Sequence, residues 1–307
     1  MTTYIAAYDT EAESCLDGVR RIVEVHEKHE MPATFFIVAR LLDEQAGEYR
    51  ALLADNPLFE IACHTYTHML VRDHHLCGPA GPADQYPREL LESKKRIEDV
   101  FGRAVTGFRT PCGFPDGLKG APRILELLQQ GGYSYSSSLA WGPWWTLPAL
   151  ILESFRYEEQ GYPDIWEIPP CGWMENVLKG HNPKEAWPLQ LFPHPFPEAM
   201  RAAPVQTMAE EVELNRLFID KACRMGVGHV SLIWHPWSLH RFDPDTSMLD
   251  RTFAYVHELG LKTRTFEQHC EVLTSHGCTT TTGESCHSER SEESEAVRKD
   301  GDPSASS

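Results

Sequence analysis

Short apolar segments alternate with amphipathic segments along most of the chain. The apolar segments are rich in β-branched and aromatic side chains, which is typical of buried strands. They are "YIAAYD" (4–9), "ATFFIVA" (33–39), "LFEIACH" (58–64), "VTGFRTP" (105–111), "YSYSSSL" (133–139), "IWEIPP" (165–170), "HVSLIWH" (229–235) and "KTRTF" (262–266). Helical periodicity marks the segments 13–29, 41–54, 87–102, 121–132, 207–225 and 246–259. This alternation predicts parallel strands joined by helical crossovers.

The number of strand–helix units favours a (β/α) barrel. Seven or eight such units within about 270 residues fit this architecture. An open, doubly wound sheet is the alternative, because it is built from the same alternating units. No glycine-rich phosphate loop follows the first strand, so the sequence does not indicate nucleotide binding.

Two segments depart from this pattern. Residues 180–206 are dense in proline, which predicts a loop packed over one face of the barrel. Residues 276–307 contain almost no large apolar side chains and cannot bury enough surface to offset the entropy of ordering. We therefore expect one folded domain over 1–275 and a disordered tail over 276–307.

Composition narrows the class of partner. The formal net charge of −17 repels phosphate backbones, so we expect no nucleic acid partner. No segment approaches the ~20 apolar residues of a membrane span, and "MTTYIAAYDT" (1–10) lacks the features of a signal peptide. The nine cysteines are scattered without a C-x-x-C pair. These observations predict a cytoplasmic protein with reduced thiols and no structural disulfide.

Polar side chains with catalytic potential follow the predicted strands. In a (β/α) barrel, the reactive residues lie at the carboxyl ends of the strands. The first strand ends in Asp9-Thr10-Glu11, the third in "HTYTH" (64–68), the fourth in Arg109-Thr110-Pro111-Cys112, and the strand 229–235 in His235. We therefore expect acidic, imidazole and guanidinium groups to meet at one rim.

This set of groups predicts metal-assisted hydrolysis of an amide or ester. Two imidazoles and a carboxylate form a facial ligand set for a divalent metal with open coordination positions. A second carboxylate could accept a proton from water, His235 could protonate a leaving group, and Arg109 could hold a carboxylate ionised. Each motif alone has an ordinary explanation, such as a helix cap or two surface histidines on one helical turn. Their coincidence at four strand ends indicates a metal site.

Five motifs resemble those of the polysaccharide deacetylase family, the NodB-homology group or carbohydrate esterase family four. "YDTEA" (8–12) resembles the first motif in its D-x-E variant, and "HTYTH" (64–68) resembles the second. The others are "FRTPCGF" (108–114), "GYSYSSSL" (132–139) and "LIWHPW" (232–237). The segment "WEIPP" (166–170) also resembles this branch, and the resemblance extends over about residues 3–275.

The resemblance implies a distorted (β/α)7 barrel and a role for each candidate residue. Asp9 resembles the catalytic base, Arg109 the residue that positions it, and His235 the general acid. The backbone N–H of Cys112 resembles part of an oxyanion hole. Glu11, His64 and His68 resemble the metal ligands; zinc suits this set first, and cobalt, nickel, manganese or iron would also fit.

Two positions depart from the family pattern. Cys112 replaces an aromatic residue that walls the site, which should change substrate fit more than chemistry. Ser136 replaces an aspartate of the fourth motif, which normally tunes the arginine or the acidic histidine. This second change could lower the rate or alter the reaction.

Three function classes follow from the resemblance and its departures. The leading hypothesis is N-deacetylation of an acetylated amino sugar or glycan. The alternative is hydrolysis of a small linear or cyclic amide, as in allantoinase-like and imidase-like relatives. The third class is an inactive binding homologue, suggested only by Ser136. The expected partner is thus a small molecule or an oligosaccharide.

Overall fold

The computed structural model describes residues 1–145, 149–171, 205 and 207–277. The strands are β1 (Thr3–Thr10), β2 (Ala33–Ile37), β3 (Phe59–Cys63), β4 (Gly107–Phe108), β5 (Tyr135–Ser136), β6 (Phe155–Tyr157), β7 (Tyr162–Glu167), β8 (His229–Trp234) and β9 (Lys262–Thr263). The α-helices are α1 (Cys15–Lys28), α2 (Leu42–Leu53), α3 (Ser93–Phe101), α4 (Pro122–Gln130), α5 (Met208–Met225), α6 (Pro236–Phe242), α7 (Ser247–Glu258) and α8 (Phe266–Gly277).

Seven strands form a parallel sheet in the order β7-β5-β4-β3-β2-β1-β8. Strand β6 pairs antiparallel with β7, and β9 pairs with the first residues of β1. The backbone N–H of Cys171, just beyond β7, donates to the carbonyl of Ser231 in β8 at 2.8 Å. This bond links the two ends of the parallel sheet. The predicted α/β class with a distorted seven-stranded barrel is therefore confirmed.

Alternating residues of the strands face two apolar layers. Ile5 and Ala7 of β1 belong to a small inner cluster that includes Phe36, Tyr135 and Phe266. Tyr4 and Tyr8 of the same strand belong to the larger cluster between the sheet and the helices. This division follows from the two-residue period of strand side chains. Asp9, on the inner side of β1, therefore points toward the barrel axis.

Helix α8 covers the amino ends of the central strands. The backbone N–H of Phe266 donates to Thr34 Oγ1 at 3.0 Å, and that of Glu267 donates to Glu60 Oε2 at 2.9 Å. Thr34 and Glu60 are the second residues of β2 and β3, and both are buried. The carboxyl ends of the strands lie at the other end of the barrel and carry the candidate site.

The elements predicted from periodicity recur with shifts of a few residues at their ends. Strand β6 and helices α6 and α8 were not predicted, and the expected strands near 105–111, 133–139 and 262–266 are only two residues long. The expectation of no disulfide is wrong, because Cys77 and Cys112 form one. The loop after β3 folds onto the loop after β4, and the disulfide joins the two loops. The two cysteines are 35 residues apart, and no local sequence pattern indicates that they meet.

Helix α8 extends to Gly277, two residues beyond the expected domain boundary. The rest of the predicted tail, and the proline-rich segment except residue 205, lie outside the described residues. Within the described part of the chain, no helix is long and apolar enough to cross a membrane.

Candidate active site

The predicted reactive residues meet at the carboxyl ends of β1, β3, β4 and β8. Asp9 is the penultimate residue of β1, and Glu11, His64, Arg109 and His235 each follow directly after a strand. A cavity of about 90 Å³ lies between them. Its lining includes Asp9, Glu11, His68, Arg109, Thr110, Cys112, Gly113, Ala140, Trp141, Ile233 and His235. The strand-end placement expected from the sequence is therefore observed.

Glu11, His64 and His68 form a compact trio of groups that could hold a metal ion. One potential ligand atom from each lies within 4.8 Å of the other two. His68 Nε2 is 2.8 Å from Glu11 Oε2, and His64 Nε2 is 3.8 Å from the same oxygen. Burial alone would raise the pKa of Glu11, but the charge of His235 and the neighbouring imidazoles of His64 and His68 hold it well below the usual range.

The histidine pair lies on an irregular loop and not on a helix. Thr65 and His68 both have positive φ, 65° and 66°, and the His68 N–H donates to Thr65 Oγ1 at 3.1 Å. The buried carboxylate of Glu89 accepts the backbone N–H groups of Tyr66 and Thr67 at 2.9 and 2.8 Å. The alternative of two surface histidines on one helical turn is therefore wrong. Glu89, which the sequence analysis missed, fixes the loop that carries His68.

The orientation of His64 fits a metal ligand. Its Nδ1 lies 2.9 Å from the carbonyl oxygen of Arg109, so this nitrogen carries the proton and donates. The buried Nε2 then presents a lone pair toward Glu11 and has no hydrogen-bond partner among the described residues. Metal-binding histidines commonly have this arrangement, with the second ring nitrogen donating to a carbonyl. The three residues therefore fit a divalent metal.

Asp9 and Arg109 form a buried ion pair beside this trio. Arg109 Nη1 donates to Asp9 Oδ1 at 2.5 Å, and its guanidinium lies 3.8 Å over the ring of Phe36. Arg109 Nε and Nη2 donate to the carbonyl and hydroxyl oxygens of Ser137 at 3.1 and 2.9 Å. Asp9 Oδ2 faces the site, 4.0 Å from the Nε2 atoms of both His64 and His235. The pair thus fixes one carboxylate oxygen and leaves the other facing the imidazoles.

His235 faces the trio from the opposite side of the rim. It precedes the first residue of α6, and Pro236 fixes the backbone at the start of that helix. His235 Nε2 lies 3.8 Å from Glu11 Oε1. The residue is buried, so its side chain has little freedom to leave the site.

Cys112 contributes a backbone turn and one half of the disulfide. Its φ is 63°, in the left-handed region, and its carbonyl accepts the indole N–H of Trp141 at 2.5 Å. Its sulfur is bonded to Cys77. The disulfide therefore stands where the resemblance implies an aromatic side chain.

Comparison with known families decides the relationship. Residues 8–135 match the family model described as polysaccharide deacetylase. This part of the chain is similar to the polysaccharide deacetylase family. The predicted resemblance is thus confirmed, and the match includes the first three motifs and the start of the fourth. None of the curated protein sequences matches the chain.

Several solved structures share the fold of this chain. A protein from Mycobacterium smegmatis assigned as a polysaccharide deacetylase is 18% identical, with a TM-score of 0.64; the match covers 90% of this chain and 92% of that one. The PuuE allantoinase is 14% identical with a TM-score of 0.61, covering 89% and 90%. A mutant of a family-four pseudoenzyme with restored enzymatic activity is 14% identical, with a TM-score of 0.51, covering 88% and 68%. At these identities the similarities establish the fold.

Ser136, where the resemblance implies an aspartate, lies beside a different acid, Glu167. Ser136 pairs in register with Glu167 of β7, and the Oγ atoms of Ser136 and Ser138 are 2.7 Å apart. Glu167 is fully buried and accepts the backbone N–H groups of Ser138 and Leu139 at 2.6 and 2.7 Å. Burial raises its pKa, although the hydrogen bonds that it accepts act in the opposite direction and lower it. Glu167 therefore braces the segment that holds Arg109, a role that the "WEIPP" motif alone did not reveal.

Proposed function

We propose that this chain is a metal-dependent hydrolase of a carbon–nitrogen bond in a non-peptide amide. The bond most consistent with the family is the N-acetyl group of an amino sugar or glycan. One observation carries the proposal: a trio of metal-ligating groups lies in a single pocket with the Asp9–Arg109 pair and His235. An inactive homologue that only binds would leave the Asp9–Arg109 pair and His235 without a role.

Glu11, His64 and His68 would hold the metal, with zinc the first expectation. A bound divalent metal supplies a Lewis acid for the amide carbonyl and lowers the pKa of a water molecule. Three ligands of this type leave positions open for water and substrate. The buried lone pair of His64 Nε2 supports this assignment, because an unpaired buried nitrogen is otherwise costly.

The other residues would move protons and stabilise charge. Asp9 accepts a proton from water at Oδ2, because Arg109 occupies Oδ1 and holds the carboxylate in place. The resulting hydroxide attacks the carbonyl carbon, and the backbone N–H of Cys112 donates to the developing oxyanion. When the carbon–nitrogen bond breaks, His235 gives its proton to the leaving nitrogen. Hydrolysis thus yields a carboxylate and an amine.

A small linear or cyclic amide is the second candidate substrate. The fold is similar to that of an allantoinase at nearly full coverage of both chains. The cavity is also small, about 90 Å³, and Cys112 of the Cys77–Cys112 disulfide lines it. A small amide could enter such a cavity whole, whereas a glycan would present only its acetamido group.

Substrate assays with metal analysis separate these candidates. The purified protein is loaded with Zn²⁺, its metal content is measured, and acetate release from chitooligosaccharides is compared with the turnover of hydantoins and linear ureides. Acetate release supports the leading proposal, and ring opening or ureide hydrolysis supports the second. One bound metal with no turnover of either class would leave a binding homologue. Absence of metal binding would overturn the proposed function.

A further inference from the structure

The indole of Trp237 lies against the carboxylate of Glu11. Trp237 is the second residue of α6 and is partly buried. Its Nε1 donates to Glu11 Oε1 at 3.1 Å. This contact joins the helix after β8 to the loop after β1. Nothing in the reaction outlined above uses this indole.

The two oxygens of Glu11 have different partners. Oε2 faces the histidines, 2.8 Å from His68 Nε2 and 3.8 Å from His64 Nε2. Oε1 faces away from these two histidines; it accepts the indole N–H and lies 3.8 Å from His235 Nε2. We propose that Trp237 is a positioning residue that engages Oε1, so that Glu11 offers only Oε2 to a metal. This inference rests on the proposed metal site.

The packing of α6 on α1 holds the indole in position. A Cβ atom at Gly18 of α1 would lie only 2.1 Å from the carbonyl oxygen of Pro236, so only glycine permits this close approach. Pro236 also fixes φ at the start of α6. Trp237 follows Pro236, and Glu11 lies four residues before α1. Donor and acceptor are therefore carried by two elements in direct backbone contact.

A neutral donor suits this position for an electrostatic reason. A lysine or arginine at the same place would also hold Oε1, but its positive charge would repel a metal cation. The indole N–H carries no charge and cannot accept a hydrogen bond. It therefore orients the carboxylate without neutralising it. Binding through one oxygen also leaves more coordination positions for water and substrate.

Replacing Trp237 by phenylalanine tests the proposal, because it removes the N–H and retains an aromatic ring. The affinity for Zn²⁺ is measured by competition with a chromophoric chelator. We expect Trp237→Phe to weaken binding by about 10- to 100-fold, the usual effect of removing a partner of a metal ligand. Trp166→Phe is the matched control, because it removes an indole N–H that donates to Thr274 on another face. Its affinity should stay within about twofold of the wild type.

A cobalt spectrum and a double-mutant cycle provide independent readouts. If Oε1 becomes free to bind, the visible absorption of the Co²⁺ form should weaken, because higher coordination reduces its intensity. In a Glu11→Asp background the shorter carboxylate cannot span both partners, so adding Trp237→Phe should cost less than about threefold. This comparison remains informative if the single variant loses some stability.

Unchanged Zn²⁺ affinity and an unchanged Co²⁺ spectrum in Trp237→Phe would overturn the positioning role and leave the metal site intact. Equal losses in the wild-type and Glu11→Asp backgrounds would also overturn it, because the effect would not pass through Glu11. A wild-type protein that binds no metal would overturn the proposed function together with this inference. The three results are therefore distinguishable.

Discussion

Glu11 and Glu60 are two glutamates at opposite ends of one barrel, with opposite pKa shifts. Burial raises the pKa of Glu60 to about 7, although Thr34, Tyr135 and the backbone of Glu267 donate hydrogen bonds to it. The pKa of Glu11 is instead held well below its usual range by surrounding histidines, despite burial. Burial disfavours the charge in both cases, and only cationic neighbours reverse its effect. The surroundings at the open rim stabilise the ionised carboxylate of Glu11, whereas those at the closed end disfavour the ionised form of Glu60.

Glu60 and His64, at opposite ends of the barrel, also differ in how their polar atoms are satisfied. At the closed end, Glu60 accepts from Thr34 Oγ1 at 2.6 Å, from Tyr135 Oη at 2.5 Å and from the Glu267 N–H at 2.9 Å. At the rim, the Nε2 of His64 has no hydrogen-bond partner among the described residues. A buried polar atom without a partner costs about 1–3 kcal/mol. His64 bears this cost at the end where a ligand can enter.

The largest expected effect follows from removing a metal ligand at the rim. His68→Ala should abolish retention of Zn²⁺ through gel filtration and reduce hydrolysis to background. The physical reason is that Glu11 and His64 alone give two ligands, too few for a stable tetrahedral site. His240→Ala, a change of an exposed histidine on α6, serves as the control and should keep both properties. Full metal retention by His68→Ala would exclude this residue from the site.

Removing His235 should separate chemistry from metal binding. An amide anion is too basic to leave, so the leaving nitrogen needs a proton from a positioned acid. His235→Ala should therefore reduce kcat by about 10²- to 10⁴-fold while the bound metal is retained. Metal content and kcat are measured on the same preparation. Normal turnover of an amide substrate by this variant would assign the proton to water or to another group.

The rim was predictable from sequence because its residues follow strands. Asp9, His64, Arg109 and His235 stand next to apolar segments whose period fixes where each strand ends. The residues that support these four have no comparable signal in the sequence. Glu89, Glu167 and Trp237 are single polar or aromatic side chains whose partners lie far away in sequence. Their roles depend on tertiary distances, which a periodic pattern does not contain.

The closed end was less predictable for a related reason. Helix α8 begins after only two further residues beyond the short strand β9. The strand predicted at 262–266 therefore wrongly included Phe266, the first residue of α8. Two of its backbone N–H groups bond to Thr34 and Glu60, more than 200 residues earlier in the chain. Long-range capping of this kind leaves no local sequence signal. The same distance explains why Glu60 was read only as part of a strand.

Glu60 should make the stability of the closed end depend on pH. Its folded pKa, about 7, lies above the unfolded value of ~4.3. The folded state therefore binds the extra proton, so the contribution is complete below pH ~4.3 and is lost as the pH rises through about 7. This loss should amount to about 3 kcal/mol of unfolding free energy between pH 4 and 8. Urea denaturation of the chelator-treated protein at several pH values measures it.

The control for this pH effect is an exposed acid. Glu60→Gln should flatten the decline in unfolding free energy between pH 5 and 8. Glu213→Gln changes an exposed glutamate of α5 and should leave the decline as in the wild type. An identical pH dependence in Glu60→Gln and the wild type would show that Glu60 stays ionised in the folded protein across this range.

Thr34→Val should produce the smallest of these effects, and only on stability. Valine has nearly the same shape, but it removes the hydroxyl that donates to Glu60 and accepts from the Phe266 N–H. The unfolding free energy should fall by about 1–3 kcal/mol, because a buried N–H loses its partner. Metal affinity and kcat should be unchanged, since Thr34 lies at the end opposite the site. His235→Ala should show the reverse, with activity lost and stability nearly kept. A loss of kcat in Thr34→Val without a loss of stability would mean that the two ends are coupled and would contradict the division of roles drawn here.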